Sequence, residues 1–376
     1  MAALLLLAAC REDEYVTFIE DEDTGQPATQ SHYAGLYILN EGNMGSNKCT
    51  LDYLDLSGSD STVHYYRNIY AERNPSSVLE LGDVGNDIQI YGSRLWMTIN
   101  CSNKVEVCEA LTARRIGQID IANCRYLAFN EGYAYVSSYA GPVRIGDNCP
   151  LGRVYKVDTL TLQKVDSVTV GYQPEEMAIT DGRLYVACSG GYRVPQYDNR
   201  IMVVDLEDFS VSTEIEVGIN LHRLAVDRYG QLWVTSRGDY YSTPACLYWI
   251  SEDCVRGRLE LPVSAMTLVG DSLYYIGSSF SYTTGGYDKA FGIVDVRTHE
   301  AVVTHLFDAP EVQGITLPYG IVVDPEERDF YLMDAKNYVS SGELLHFLPD
   351  GTFDWRVWTG DIPSRGALLE DIKVKS

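Results

Sequence analysis

The sequence predicts an all-β fold, a seven-bladed β-propeller of four-stranded antiparallel blades in which the C-terminal strand closes the N-terminal blade. Two observations predict this fold. A pattern of four short strands recurs at intervals of about 40 to 60 residues, which is typical of propeller blades. In addition, the first repeat begins at its second strand (residues 35–40), whereas residues 368–374 form a strand with no later partners. Pairing these two ends would remove two open sheet edges.

One complete repeat occupies residues 173–217. It contains a strand, the turn Thr-Asp-Gly at residues 180–182, a second strand, a long loop and two further strands. Asp-Gly favours a hairpin turn because these residues tolerate positive φ angles. The second strand is marked by an aromatic residue between apolar or small neighbours. The markers of the seven predicted blades are Tyr37, Trp96, Tyr135, Tyr185, Trp233, Tyr274 and Tyr331.

Three regions are predicted along the chain. Residues 1–9 form an apolar run that is too short to span a bilayer and indicates a lipoprotein signal peptide. Leu-Ala-Ala-Cys at residues 7–10 resembles a bacterial lipobox, which implies acylation of Cys10; an N-terminus without lipid is the alternative. Residues 10–33 then form the acylated cysteine and a flexible acidic tether, and residues 34–376 form the propeller.

The charge and the N-terminus together predict a lipid-anchored outer-membrane protein. The formal net charge is −24, from 53 acidic and 29 basic residues, which disfavours nucleic acid and anionic membrane surfaces as partners. Attachment to the membrane would therefore come from the lipid anchor only. Residues 11–14, Arg-Glu-Asp-Glu, resemble the acidic export signal of some surface lipoproteins, so we expect the protein to face the cell exterior.

The cysteines favour a disulfide over a zinc site. Cysteines after Cys10 include no paired Cys-x-x-Cys arrangement of the kind that binds zinc. An exported protein can form disulfides. The blade register places Cys101 and Cys124 on the same face, so they are the candidate pair. Buried free thiols are the alternative, notably for Cys188.

The predicted binding site lies on one face of the ring. First strands begin and second strands end on this face, which receives long loops rich in Tyr, Asn and Arg, whereas the opposite face receives tight turns. Stiff aromatic surfaces and amide-matching hydrogen bonds suit a bulky ligand with many amides or hydroxyls, and suit a highly charged ligand less well. The candidate ligand-binding residues are Asn40, Glu41, Asn43, Asn86, Asp87, Asn100, Arg125, Tyr126, Tyr139, Gln173, Glu175, Tyr192, Arg193, His222, Arg237, Tyr240, Tyr241, Tyr282, Tyr319, Lys336 and Tyr338.

The same face allows two other interpretations. Of the six histidines only His222 falls on it, with Arg223 and Arg237 nearby, which would permit a lyase or a hydrolase. No second histidine is available on this face for a metal site or a dyad, so we predict neither catalytic residues nor a metal. A protein-interaction scaffold of the cell envelope is the other alternative. About half of the tyrosines are expected to pack between blades rather than to bind.

The loops of this face also resemble those of a known family. Six segments carry the resemblance: residues 39–45, 82–88, 100–107, 171–176, 189–195 and 235–241. They are similar to BtuG-type, YncE-like surface lipoproteins, which are seven-bladed propellers that bind cobalamin and pass it to an outer-membrane TonB-dependent transporter. The resemblance implies a protein that is not an enzyme and that binds a corrinoid as a transported ligand, not as a catalytic cofactor.

Overall fold

Seven β-sheets form a closed ring in the computed structural model, which describes residues 21–27, 31–58, 62–77, 80–281 and 286–371. Each sheet is one blade, and the blades are numbered in chain order. Within the described residues, six blades have four strands and the first, blade 1, has five. The strands of each of these six blades follow chain order across the sheet, and neighbours are antiparallel, as in a meander. The predicted seven-bladed propeller is confirmed.

The first half of the ring contains blades 1 to 4. Blade 1 has β1 (Asp21–Pro27), β2 (Tyr33–Asn40), β3 (Thr50–Asp55) and β4 (Thr62–Tyr66), followed by α1 (Ile69–Arg73). Blade 2 has β5 (Gly85–Tyr91), β6 (Arg94–Ile99), β7 (Lys104–Glu109) and β8 (Arg115–Asp120). Blade 3 has β9 (Cys124–Asn130), β10 (Tyr133–Ser138), β11 (Arg153–Asp158) and β12 (Lys164–Thr169). Blade 4 has β13 (Pro174–Thr180), β14 (Arg183–Cys188), β15 (Arg200–Asp205) and β16 (Ser210–Glu216).

The second half contains blades 5 to 7 and the closing strand. Blade 5 has β17 (Leu221–Val226), β18 (Leu232–Ser236), β19 (Cys246–Ser251) and β20 (Cys254–Leu259). Blade 6 has β21 (Val263–Val269), β22 (Ser272–Ser281), β23 (Gly286–Asp295) and β24 (Glu300–Val303), followed by α2 (Glu311–Gly314). Blade 7 has β25 (Pro318–Val323), β26 (Phe330–Asp334), β27 (Ser341–Phe347) and β28 (Phe353–Asp361), and β29 (Pro363–Glu370) is the last strand of the described residues. In the described part of the chain, neither helix has the length or the apolar character needed to cross a membrane.

The two ends of the chain close the ring. β29 pairs antiparallel with β2, with Ala367 opposite Tyr37 and Leu368 opposite Leu36, so the strand order of blade 1 is β1-β4-β3-β2-β29. β29 is therefore the innermost strand of blade 1, and it packs against β5 and β25, the innermost strands of the neighbouring blades. The predicted closure by the C-terminal strand is confirmed.

Residues 21–27 do not form part of a flexible tether, in contrast to the prediction. They form β1, which pairs with β4 as a fifth, outer strand of blade 1. The Arg67 guanidinium also donates a hydrogen bond of 2.7 Å to Glu22. Because an outer strand offers unpaired N–H and C=O groups along its edge, backbone pairing can order even a polar, acidic segment. The predicted signal peptide and Cys10 lie outside the described residues.

The aromatic markers of the repeat pack between neighbouring blades. All seven are buried, with exposed fractions of no more than 8%. Tyr37 of blade 1 belongs to one apolar cluster with Ile88 and Leu95 of blade 2, and its hydroxyl donates to the Ala110 carbonyl at 2.7 Å. Each blade therefore relies on its neighbours to bury its apolar surface, as in other repeat architectures.

The predicted disulfide between Cys101 and Cys124 is not formed. Both are free thiols. Cys101 is exposed after β6, whereas Cys124 is buried in the apolar cluster between blades 2 and 3, where its thiol donates to the Lys104 carbonyl at 3.1 Å. The two side chains thus occupy different environments, although the blade register places them on one face. Cys188 is a buried free thiol, which agrees with the alternative given for it.

Candidate functional site

The innermost strands of the seven blades bring polar side chains to the centre of the ring. Each innermost strand packs against the innermost strands of the two neighbouring blades, so together they enclose a central channel. Most of the polar groups come from the second or third residue of these strands, which places them at one level along the channel. We call this group the channel cluster; its members are Glu41, Asp87, Arg125, Tyr126, Tyr139, Glu175, Glu176, His222, Arg223, Arg237, Tyr319 and Arg365.

Glu175 is the most highly connected carboxylate of the channel cluster. It is 1% exposed and accepts hydrogen bonds from the Tyr139 hydroxyl at 2.7 Å, Arg237 at 3.0 Å, Ser189 at 3.1 Å and Arg125 at 3.3 Å. Burial pushes the pKa of Glu175 upward, but the two arginines and the hydroxyl donors outweigh burial and lower the pKa below its usual value. Glu175 is therefore an ionised anchor that holds two guanidinium groups beside the channel.

Tyr126 gathers three guanidinium groups around one ring. The guanidinium carbons of Arg365, Arg223 and Arg125 lie 5.3, 5.6 and 5.8 Å from the ring centroid. Cations within about 6 Å of an aromatic face are attracted by its quadrupole. Arg223 Nη1 donates to the Tyr126 hydroxyl at 3.1 Å, and the same hydroxyl lies 2.9 Å from His222 Nε2. The ring thus links arginines of blades 1, 3 and 5.

Arg365 connects opposite sides of the channel. Its Nη2 donates to Glu176 Oε1 at 2.6 Å, and its Nε lies 3.9 Å from Asp87 Oδ1. Glu176 belongs to blade 4 and Arg365 to blade 1, so this hydrogen bond crosses the channel. Glu176 and Asp87 also accept backbone hydrogen bonds, from Leu224 and Leu127 respectively, each at 3.0 Å. Both carboxylates are therefore held in place by the neighbouring blade as well as by Arg365.

His222 is a neutral base in this environment. Burial lowers its pKa well below the usual value, and Arg237, Arg223, Arg365 and Arg125 lower it further because a protonated imidazole would add a fifth cation. The imidazole is therefore uncharged at neutral pH. An uncharged imidazole can still form a hydrogen bond, and its Nε2 lies 2.9 Å from the Tyr126 hydroxyl.

Glu41 differs from Glu175 in the direction of its pKa shift. Burial raises its pKa to about 7, and this effect exceeds the opposing influence of Arg125 and of the Tyr319 hydroxyl. Tyr319 donates to Glu41 Oε2 at 3.3 Å. Among the described residues, no arginine or lysine forms an ion pair with Glu41. Its carboxyl group therefore changes charge near neutral pH.

Three arginines of the cluster retain unused donors. Within the part of the chain that the structure describes, the buried Nε atoms of Arg125, Arg237 and Arg365 have no hydrogen-bond partner. A buried polar atom without a partner costs free energy unless water or a ligand satisfies it. The cluster therefore has hydrogen-bonding capacity left for an acceptor that enters the channel.

The sequence-predicted residues fall into three groups. Nine lie in the channel cluster: Glu41, Asp87, Arg125, Tyr126, Tyr139, Glu175, His222, Arg237 and Tyr319. Six others make contacts within the protein. The side-chain amides of Asn40, Asn86 and Asn100 donate hydrogen bonds to Thr50, to the Arg125 carbonyl and to Asn123, respectively. Gln173 accepts a hydrogen bond from the Tyr192 backbone, Arg193 stacks on Tyr172, and Lys336 forms ion pairs with Asp334 and Glu343. The rest lie on loops: Asn43 is partly exposed, and Tyr192, Tyr240, Tyr241 and Tyr338 are exposed. Tyr282 lies outside the described residues.

The candidate list lacked three members of the channel cluster. Glu176 was not among the candidates, and Arg223 was named only for the enzyme interpretation. Arg365 was not considered because the closing strand was expected at residues 368–374, whereas β29 begins at Pro363. The start of β29 is polar because it faces the channel, so the apolar pattern does not reveal it. The register would have revealed Arg365, since it is the third residue of an innermost strand, as Asp87 and Glu176 are.

Metal ligands are not grouped in the described residues. Across these ranges, no group of three or more His, Cys, Asp or Glu side chains has an arrangement that could hold a metal ion. The carboxylates of the channel cluster are instead engaged by arginines and hydroxyls, which leaves hydrogen bonding and charge as the interactions available to a ligand.

These features define a seven-bladed β-propeller with a charged cluster at the centre of its ring. Within this class, the family model for a domain of unknown function, DUF5074, matches residues 34–340, and the chain belongs to this family. No curated protein matches the sequence.

Three solved structures share the fold at low sequence identity. A quinoprotein alcohol dehydrogenase-like protein from Bacteroides thetaiotaomicron is 14% identical with a TM-score of 0.56, over 91% of this chain and 80% of that one. Hydrazine synthase from Kuenenia stuttgartiensis is 15% identical with a TM-score of 0.56, over 70% and 76%. Dihydro-heme d1 dehydrogenase NirN is 10% identical with a TM-score of 0.52, over 92% and 79%. Propeller-type dehydrogenase-like proteins are thus among the distant structural neighbours.

Proposed function

We propose that the protein binds cobalamin or a related corrinoid on the loop-rich face of the propeller and passes it to an outer-membrane TonB-dependent transporter. The observation that carries this proposal is the channel cluster, in which donors and acceptors from blades 1, 2, 3, 4, 5 and 7 meet at one level of the channel. A corrin ring has several amide side chains on its rim, and hydroxyl, amide and guanidinium groups match amides well. A rigid ring of blades also loses little entropy when it binds.

Exposed aromatic residues on the loops support the same proposal. Tyr192, Tyr240 and Tyr241 are 42%, 59% and 88% exposed, and they follow the second strands of blades 4 and 5. Tyrosine combines a large apolar surface with a polar tip, so it suits the flat face of a macrocycle and the amides on its rim. The loops would contact the macrocycle while the channel cluster receives groups that point into the ring.

The cellular role follows from the N-terminus and the resemblance. An acylated Cys10 would hold the protein in the outer membrane with the propeller facing outward. Several acyl chains give stable anchoring where one does not. The corrinoid is the cargo in this role, and the propeller itself supplies no catalysis.

Calorimetric and spectroscopic titration of the purified protein with cyanocobalamin tests the proposal. We expect saturable binding with a spectral shift of the corrinoid. Replacing Tyr240 and Tyr241 together by alanine should weaken binding by about tenfold or more, because aromatic anchors dominate binding energies. Tyr229→Ala is the matched control, since Tyr229 is 53% exposed in the turn between β17 and β18, on the opposite face. An absence of heat and of a spectral shift at micromolar protein would reject the corrinoid ligand.

One contact favours a second candidate, a lyase or hydrolase. The neutral His222 lies 2.9 Å from the Tyr126 hydroxyl, with Arg223 donating to the same oxygen, and such a group can accept a proton from a substrate. Turnover of a lactone substrate that His222→Gln abolishes, with only a small change in ligand affinity, would favour the enzyme. A protein-interaction scaffold would instead show neither turnover nor corrinoid binding.

A further inference from the structure

The charges of the channel cluster balance only while Glu41 is ionised. Arg125, Arg237 and Arg365 form ion pairs with the carboxylates of Glu175, Glu176 and Asp87. Arg223 is the fourth guanidinium group, and within the described residues it has no carboxylate partner. It donates instead to the Ser264 carbonyl at 3.0 Å and to the Tyr126 hydroxyl at 3.1 Å. The cluster therefore has one positive charge in excess whenever Glu41 is protonated.

This excess is unusual because the whole chain is strongly acidic, with a formal net charge of −24. Three of the four guanidinium groups lie within 6 Å of the Tyr126 ring centroid, and like charges gathered around one ring repel one another. Buried Nε donors of Arg125 and Arg365 are also unsatisfied in the described residues. An acceptor with negative charge would relieve both the repulsion and the unmet hydrogen bonds.

We infer that the channel cluster binds an oxyanion group, such as a sulfate, carboxylate or phosphate ester, and that Glu41 takes up a proton when the anion binds. The inference rests on the proposed binding role of this face, and it specifies the chemical class of the group that binds at the channel cluster. A corrinoid could supply the group through the phosphodiester of its nucleotide loop, and a free anion could supply it as well. Both sources present the same charged oxygens to the arginines.

Glu41 is the group whose protonation is linked to binding of the anion. It faces Arg125, Arg223 and Arg365 from three innermost strands, the Tyr319 hydroxyl from β25, and the Cys49 thiol before β3. An ionised Glu41 would compete with the anion for the same cations, whereas a protonated Glu41 would not. By linkage, a ligand that favours the protonated form must bind more tightly when the pH falls through the pKa of that carboxyl.

Equilibrium dialysis with labelled sulfate at constant ionic strength tests the inference. Sulfate is suitable because it stays a dianion between pH 6 and pH 8 and so adds no titration of its own. Because the pKa of free Glu41 is about 7, we expect one site per chain and about tenfold tighter binding at pH 6 than at pH 8. Glu41→Gln should bind with the same affinity at both pH values, equal to that of the wild type at pH 6.

A second variant locates the anion. Arg237→Met should weaken sulfate binding by about tenfold, because it removes one cation while Glu175 keeps Arg125 as a partner. Arg228→Met is the matched control, since its side chain is 63% exposed near Asp271, in the turn between β17 and β18. Binding that Arg237→Met leaves unchanged, or a wild-type pH profile as flat as that of Glu41→Gln, would overturn the inference.

Corrinoid titrations distinguish the two sources and the two proposals. If the phosphodiester occupies the cluster, sulfate should compete with cyanocobalamin but not with dicyanocobinamide, which lacks the nucleotide loop. If a free anion occupies it, sulfate should leave the affinity for both corrinoids undiminished. Cyanocobalamin binding without any sulfate site would remove only the oxyanion inference. A sulfate site without corrinoid binding would remove only the proposed function.

Discussion

Ring closure by β29 leads to a quantitative prediction about stability. Leu369 is 6% exposed and belongs to the same apolar cluster as Tyr37 and Leu39 of β2 and Ile88 of blade 2. It pairs with Gly35 across the β2–β29 ladder. The side chain therefore connects the last strand of the chain to both the first and the second blade.

The expected cost of Leu369→Ala follows from this burial. Truncating a buried leucine to alanine typically lowers the free energy of unfolding by about 2 to 5 kcal/mol, through lost transfer energy and the remaining cavity. Since β29 has packed neighbours on both sides, collapse of the cavity is restricted, and we expect about 3 kcal/mol. Deleting all residues after Gly366 also removes ladder hydrogen bonds and should prevent folding or cause aggregation.

Urea unfolding followed by circular dichroism measures this free energy. Leu160→Ala is the matched control because Leu160 is 79% exposed in the turn after β11, and its effect should stay within about 0.5 kcal/mol. If Leu369→Ala were as mild as the control, or if the truncated chain remained soluble with an unchanged melting curve, closure by β29 would not stabilise the ring.

Two further predictions concern the backbone and the charge of the same region. Gly320→Ala would bring a methyl group against the Ser364 backbone carbonyl and the Met333 sulfur, so it should lower the unfolding free energy by about 1 to 3 kcal/mol. Gly314→Ala, which meets nothing within 4 Å, is its control in the same urea assay. Because burial raises the pKa of Glu41 to about 7 from 4.5, its contribution to stability is present below pH 4.5 and is lost as the pH rises through 7. Glu41→Gln should therefore gain about 1 to 3 kcal/mol over the wild type at pH 8 and nothing at pH 4, and parallel pH profiles of unfolding would contradict this.

The site was only partly predictable, and the reason differs between residues. Arg125, Glu175 and His222 were found because each follows the start of a strand that the repeat pattern identifies. Arg365 was missed because its strand begins with polar residues, which resemble a loop when burial is unknown. Asn100, which was also predicted as a ligand contact, donates to Asn123 between blades, since a buried amide must find a partner.

The sequence by itself determined the number of blades, the aromatic packing between them and the closure of the ring, because these depend on patterns that recur locally within each repeat. Only the tertiary structure decided which charges meet. Arg365 and Glu176 are 189 residues apart in the chain and form a hydrogen bond of 2.6 Å across the channel. Such a pair forms only when the closed ring brings side chains of distant blades together, so no local pattern in the sequence predicts it.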